Sequence, residues 1–362
     1  MARQTLMSDA LFEHHFAALP QVTATAHGRA NLIGDHTDYN NGFVLPCLLT
    51  HQTSVSISLT EEGMITGVSE EFGLASRPLD QECDGQWLDF ISGALAVLAP
   101  YGLNGRGIQV AVSSAVPAGA GVSSSAALEI ALLRALVKAV GLTDIAPKDM
   151  AKIAQKIEHD FIGTQCGIMD QMVVSVARPG QAMVLDCQSH DIALVEFFTS
   201  AVLMVFHSGS GRKLSEGLYN TRLSECQMAA QALNLPSLRQ ANLTMLDQLT
   251  DPIALQRARH VISENQRVQD AVTALKADEP EMFGALMVQS HQSLAKDYEV
   301  SSPVLDQLVQ TCLDANALGA RLTGAGFGGC VVALVKAGDE DRILAAVSQH
   351  CPKAYLVDVI SA

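Results

Sequence analysis

The sequence predicts a two-domain α+β protein, and three observations carry that prediction. The chain has 362 residues with 48% apolar content, enough for two hydrophobic cores. Strand-like and helical runs alternate loosely through its first half, with no internal repeat and no low-complexity linker. A β-like run, Ala201 to Phe206, then precedes a long and largely helical region, Leu214 to Leu318, before the apolar run Val331 to Val335 reads as a buried strand. The change in character places a boundary near residue 190 and divides the chain into domains 1–190 and 191–362.

Each element has a local reason. Asn41-Gly42 is a tight-turn signal between two apolar segments, Thr53 to Thr60 alternates polar and apolar, and Ile108 to Val112 is β-rich. Residues Pro117 to Ala127 read P-A-G-A-G-V-S-S-S-A-A and run into a helix. There Leu128, Ala131, Leu132, Ala135, Leu136 and Ala139 recur at helical spacing, Glu129 and Lys138 complement the dipole, and Gly141 stops the run. A second helical period, Met150, Ile153, Ile157 and Phe161, opens at Pro147 and closes at Gly163, with Glu158 at the flank of its apolar stripe.

Composition narrows the function. A formal charge of −15 disfavours broad contact with nucleic acid or an anionic membrane. No apolar run approaches the roughly 20 residues of a membrane span. The start, Met1 to Pro20, mixes Arg3, Asp9, Glu13, His14 and His15 with apolar residues, unlike a signal peptide, so a cytoplasmic location is expected. Eight cysteines without a C-x-x-C pair argue against a disulfide framework or a structural zinc site. An acidic protein can still bind ATP, because backbone amides, a helix dipole and a magnesium ion supply positive field locally.

The segment Gly119 to Ser125 suits that task. A glycine-dense turn exposes N–H groups, the following helix N-terminus adds partial positive charge, and three hydroxyls follow. It is a phosphate cradle without lysine, so the P-loop pattern G-x-x-x-x-G-K-[ST] is not met. A plain glycine turn with serine N-caps is the alternative for this segment taken alone. Between Gly28 and Pro46, Arg29, Asp35, His36 and Asp38 offer donors and acceptors fit for a polyol; a solvated loop with an Asx-turn at Asp38 is equally open from these residues. In G-I-M-D-Q, Asp170 sits in an apolar neighbourhood where a carboxylate needs a partner. That profile fits a catalytic base with Arg29 beside it, or a solvent-facing carboxylate at a helix start. Gly324 to Gly329 spells G-x-G-x-x-G, yet Cys330 to Val335 after it is strand-like, so the dinucleotide reading is rejected. A loop allowing close backbone approach, or simple tight packing, remains.

Taken together, G-R-A-N-L-I-G-D-H-T-D-Y-N, P-A-G-A-G-V-S-S-S-A-A and L-T-G-A-G-F-G-G, with G-I-M-D-Q between the last two, resemble the galactokinases of the GHMP small-molecule kinase superfamily. Tyr219-Asn220-Thr221-Arg222 and Ser290-His291 through Asp297-Tyr298, then Pro303, also look like stretches of that family, and the resemblance spans nearly the whole chain. It implies an N-terminal domain like the second domain of ribosomal protein S5 and a ferredoxin-like C-terminal domain. It further implies transfer of phosphate from ATP to the anomeric hydroxyl of α-D-galactose by a protein expected to be monomeric. By resemblance, Asp170 and Arg29 fall at catalytic positions, and Asp35, His36, Asp38 and Tyr219 at sugar-contacting ones. Gly119, Ala120, Gly121, Val122, Ser123, Ser124 and Ser125 fall around the ATP phosphates, and Ser125 and Glu158 at Mg2+ positions.

Two positions depart from the family pattern. Asp35 stands where the family usually carries Glu, and a lost methylene withdraws the carboxylate by about 1.5 Å, which leaves recognition at the sugar's C6 end open. Val122 replaces the usual Leu and preserves an apolar contact. A sugar-1-kinase for another galactose-like sugar, or a sugar- and ATP-responsive regulator without activity, are the competing readings; the presence of Arg29, Asp170, Ser125 and Glu158 argues against the second.

Overall fold

The computed structural model describes residues 7–142, 145–211 and 215–362. Arg3 in the first segment and Leu214, where the helical region was expected to begin, lie outside the described residues. Contacts group the chain into two units, each assembled from several segments. One comprises Met1–Gly28, His51–Pro117 and Ser123–Val176; the other comprises Arg29–Thr50, Ala118–Val122 and Ala177–Ala362.

The first unit opens with α1 (Ser8–Phe16). Strand β1 (Val22–Ile33) leaves this unit at Arg29, and β2 (Phe43–Thr60) re-enters it at His51. Then come β3 (Met64–Ser69), β4 (Gly73–Pro78), α2 (Leu88–Val97), β5 (Gly107–Ser114), α3 (Ser124–Ala139), α4 (Pro147–Ile157) and α5 (Met169–Val176). Within this unit the strand order is β4-β3-β5-β2, with β3 parallel to β5 and the other neighbours antiparallel.

The polar and apolar alternation of Thr53 to Thr60 holds, but the polar face is covered too. Leu11 and Phe12 of α1 pack on Val68 and Ala111, while the Ser8 hydroxyl lies 2.7 Å from those of Ser54 and Ser56. The polar face is thus partly covered rather than solvated, with Ser56 buried where hydroxyls satisfy hydroxyls beneath a helix. Helix α4 shows a second difference, since the α-helical hydrogen bonding expected through Phe161 ends at Ile157. A wider π-turn, Glu158–Ile162, follows and closes on Gly163 with φ 83°.

The second unit continues with β6 (Gln181–Asp186), which pairs antiparallel with β7 (Ile192–Glu196) and with Phe43, Val44 and Cys47 of β2. Next are β8 (Ala201–His207), α6 (Ser215–Ala232), α7 (Pro252–Lys276), α8 (Pro280–Lys296), α9 (Pro303–Asp314), β9 (Gly319–Thr323), β10 (Cys330–Lys336), α10 (Glu340–His350) and β11 (Tyr355–Ile360). The last four strands form an antiparallel sheet ordered β11-β8-β10-β9. Strands β8 and β10 are apolar almost without interruption because they are central and buried on both faces; Leu203, Val205, Val332 and Leu334 are as buried as Phe206, Val331 and Ala333. Proline opens α7, α8 and α9, and the side chains of Asp251 and Ser302 cap the first and last of these.

The glycine loop Gly324 to Gly329 connects β9 to β10, a strand-to-strand position as its flanks suggested. All eight cysteines are free thiols. No helix among the described residues is long and apolar enough to cross a membrane.

Helix α8 approaches β9 through Gly284 and Gly319, and a Cβ on Gly284 would fall on the Leu318 carbonyl. Gly284→Ala is therefore expected to destabilise the protein by about 2–3 kcal/mol through overpacking. Chemical denaturation measures this, and an unchanged midpoint would contradict so close an approach.

Candidate active site

In the second unit the segment after β1 is a loop gripped by one helix. The Gly34 N–H donates to Glu264 Oε1 at 2.9 Å, His260 Nε2 donates to the Asp35 carbonyl at 3.1 Å, and the Phe43 N–H donates to Asn265 Oδ1 at 2.9 Å. All three partners lie on α7, and His260 and Glu264 are one turn apart on the same face. Gly34 itself needs its φ of 97°, and a Cβ there would meet Phe43 O, Val268 Cγ2 and Val44 Cα within 2.9 Å.

Asp35 is 2% exposed. Its Oδ1 accepts the Gly324 N–H at 3.0 Å and its Oδ2 accepts from Arg321 Nη2. Arg321 is fully buried and also donates to the Leu32 carbonyl at 2.9 Å. Burial pushes the Asp35 carboxyl upward, opposed first by Arg321 and more weakly by Arg29. The aspartate thus joins the first motif to the third.

His36 adopts a left-handed backbone, φ 63°. Its Nε2 lies 3.1 Å from the Ala325 carbonyl and its Nδ1 2.7 Å from the Tyr39 hydroxyl. A carbonyl only accepts, so Nε2 carries a proton, and in the neutral ring Nδ1 accepts from Tyr39. Tyr39 then accepts from the Tyr298 hydroxyl at 2.8 Å, and Tyr298 from the Cys226 thiol at 3.0 Å. One carbonyl fixes the direction of the whole chain. Tyr219 packs its ring 5.9 Å from His36 and 5.3 Å from Tyr39, while Asp38, half-buried, begins the short turn Asp38–Asn40.

Arg29 is 4% exposed and tied to the glycine turn. Its backbone N–H donates to the Val122 carbonyl at 3.0 Å and its guanidinium to the Gly121 carbonyl. Gly119 and Gly121 adopt positive φ, while Ala120 and Val122 are buried and anchor the turn.

In the first unit the chain continues directly into Ser123 and α3. The Ser123 hydroxyl donates to Asp170 Oδ2 at 2.5 Å. Asp170 is half-buried in the first turn of α5. Ser125 hydrogen-bonds Glu158, whose carboxyl is pushed up by burial and pulled back by that hydroxyl. Behind them Glu129 is fully buried, and burial followed by the Glu158 charge pushes its carboxyl well above the ordinary range. Gln171 Nε2 donates to Glu129 Oε2 at 3.4 Å.

A galactokinase galactose-binding signature matches residues 10–59, and the N- and C-terminal GHMP kinase domains match 89–178 and 271–353. The fold matches that of Lactococcus lactis galactokinase, a structure complexed with galactose, at TM-score 0.89 and 29% identity, covering 98% of this chain and 97% of that one. This chain belongs to the galactokinases of the GHMP kinase family. More distant structures share the fold alone. Methanococcus jannaschii mevalonate kinase has TM-score 0.72 at 18% identity, covering 94% and 98% of the two chains. Streptococcus pneumoniae phosphomevalonate kinase, in complex with phosphomevalonate and AMPPNP, has 0.69 at 14%, covering 94% and 99%.

In this galactokinase the second unit brings together Arg29, Gly121 and Val122 on one hand, and Asp35, His36, Asp38 and Tyr219 on the other. The first unit brings together Ser123 with Asp170 and Ser125 with Glu158. Sequence reasoning did not single out Arg321, His260 or Glu264; it gave Glu129 only a place near the helix start and named Tyr298 only within a family-like stretch. One signal was available: Arg321 lies in the strand-like run Ala320 to Leu322, and a cation in a buried strand requires an acceptor. Glu129 inside an apolar helix face raises the same question.

Glu264 is fully buried, and burial alone would raise its carboxyl. Arg267, then His260 and Arg321, with the Ser290 hydroxyl, instead hold it down at about 2. A depressed folded value means the unfolded chain takes up the proton first as acid is added. Stability from this group is therefore complete above roughly pH 4.5 and is lost as pH falls toward about 2, by roughly 3 kcal/mol in all. Denaturation midpoints followed from pH 6 to pH 2.5 should show that decline, and Glu264→Gln should be less stable at neutral pH with a flatter acid limb. A parallel decline in the variant would remove Glu264 as its source.

Proposed function

We propose that this kinase transfers the γ-phosphoryl group of ATP to the anomeric hydroxyl of α-D-galactose, giving α-D-galactose 1-phosphate and ADP. The observation that carries the reading is the galactose-binding signature over residues 10–59, which contains Arg29 and the gripped loop from Asp35 to Asp38. The galactose in the related Lactococcus lactis structure supports the same sugar here.

Phosphoryl transfer has a loose transition state, so alignment of the acceptor oxygen and neutralisation of the phosphoryl oxygens supply most of the acceleration. In our reading the amides of Gly119 to Ser125 and the N-terminus of α3 hold the ATP phosphates. Arg29 supports the transferred group, since its backbone and guanidinium are both bound to carbonyls of the same turn. Asp170 orients the sugar's O1 hydroxyl and receives its proton as the bond to phosphorus forms. Asp38 and Tyr219 contact the sugar from the loop side, with His36 completing that wall.

Ser125 and Glu158 would hold Mg2+. They form an oxygen-only pair already in hydrogen-bonded contact, and one carboxylate with a hydroxyl suits a cation that completes its shell with nucleotide oxygens and water. When bound, Mg2+ would neutralise charge on the phosphate oxygens.

Asp35 needs a separate assignment. With Oδ1 on Gly324 and Oδ2 on Arg321, we give it the shape of the loop rather than selection at C6. A site built to bind a hydroxyl rejects the analogue lacking it by about 10⁴–10⁵-fold. Here 6-deoxygalactose is expected to be phosphorylated with kcat/KM within roughly tenfold of galactose, as a coupled ADP-release assay would record. A rejection of the larger size would return Asp35 to the sugar.

Replacing Asp170 by Asn removes the proton acceptor and keeps the shape. Turnover is expected to fall about 10²–10⁴-fold while calorimetry still detects galactose binding. Near-normal turnover would take Asp170 out of the mechanism. Wild-type protein that binds both ligands yet releases no galactose-dependent ADP would be a sensor, and the enzyme reading would fail.

A further inference from the structure

Ser123 belongs by position to the ATP turn, but its side chain does not behave like its neighbours. It precedes α3 as the N-cap, where serine ordinarily has an extended backbone and accepts a bond from the helix's first N–H groups. Here the backbone is left-handed, φ 57° and ψ 50°, and the side chain makes no cap bond. The hydroxyl instead reaches 47 positions along the chain to Asp170 Oδ2, 2.5 Å away, and the residue is 6% exposed.

A non-glycine residue in this region is strained, and the cost persists only where surroundings or function demand the side chain. Glycine would adopt the same backbone freely, as Gly119 and Gly121 do in the same turn. What serine adds there is a hydroxyl, and that hydroxyl bonds the proposed proton acceptor. A short bond to a carboxylate oxygen fixes the rotation of the group and decides which oxygen is turned elsewhere.

We propose that Ser123 is a positioning residue for the transfer step, acting through Asp170, and that its hydroxyl does not serve the nucleotide phosphates. This rests on the galactose-kinase reading, in which Asp170 receives the O1 proton. The bond is made by the first hydroxyl of the three-serine run, leaving Ser124 and Ser125 to the nucleotide side.

The test uses Ser123→Gly and Ser123→Ala in the full chain, each also combined with Asp170→Asn. With the hydroxyl gone, kcat is expected to fall about 10- to 100-fold in both single variants, with ADP affinity by calorimetry within twofold of wild type. Ser123→Gly, relieved of strain, should melt no lower than wild type, which separates lost activity from lost folding. In the Asp170→Asn background either change should cost less than about threefold more, because residues acting through one group are not additive. An equal loss in both backgrounds, a tenfold loss of ADP affinity, or unchanged kcat would each overturn the proposal. Failure of the wild-type chain to phosphorylate galactose is a different result, since it removes the functional reading itself.

Discussion

A buried carboxylate cannot stand without compensation, and Asp35 shows how much of the second unit is organised by that constraint. Ionised carboxylates are costly in a low-dielectric interior unless every oxygen is met by a donor. Arg321 and the Gly324 N–H meet those of Asp35. Because Arg321 sits on β9 and Gly324 begins the loop that follows it, the requirement ties the end of β1 to the far end of the chain. Arg321 in turn donates to Leu32, so the same guanidinium closes the strand that leads into the loop. The α7 side chains His260, Glu264 and Asn265 secure three more backbone groups, those of Asp35, Gly34 and Phe43. The rings of His36 and Tyr39 pack on Tyr219 and Tyr298, and the backbone shape of the loop comes from satisfying polar groups beneath the surface.

Each of the three glycine-rich motifs also holds one non-glycine residue in the left-handed region: His36, Ser123 and Phe327. In each the side chain or backbone has a committed partner. His36 bonds Ala325 and Tyr39, Ser123 bonds Asp170, and the Phe327 N–H donates to the Val300 carbonyl at 2.7 Å. Strain of this kind is tolerated where neighbouring bonds over-determine the conformation, and it concentrates where geometry matters to function. The surrounding glycines let the chain turn, and these bonds hold the strained residues in place.

The electrostatics show how so acidic a protein can still present a positive field at its glycine turn. Lysine is absent from the turn, and Arg29 is already engaged by two of its carbonyls. Favourable field therefore comes from oriented N–H groups and a helix N-terminus, which require no mobile cation to be ordered. Glu129 lies behind the start of α3, where burial, then the neighbouring Glu158, favours its neutral form and so limits the negative charge there.

The amino-acid sequence alone determined the local elements and the chemistry of the motifs. Helical periodicity in α3, the proline starts of α7 to α9, the apolar runs of β8 and β10, and the glycine turns are properties of neighbouring residues, and the residue order carries them directly. The family membership was legible for the same reason, since each motif is a short contiguous string. What only the tertiary structure decided is which distant groups satisfy one another: Asp35 with Arg321 across 286 positions, Ser123 with Asp170 across 47, and Tyr298 with Tyr39 across 259. Periodicity shows that a strand or helix is buried but not which polar group it must satisfy. Arg321 stands among apolar residues in the sequence, and only the fold shows that Asp35 and the Leu32 carbonyl meet it.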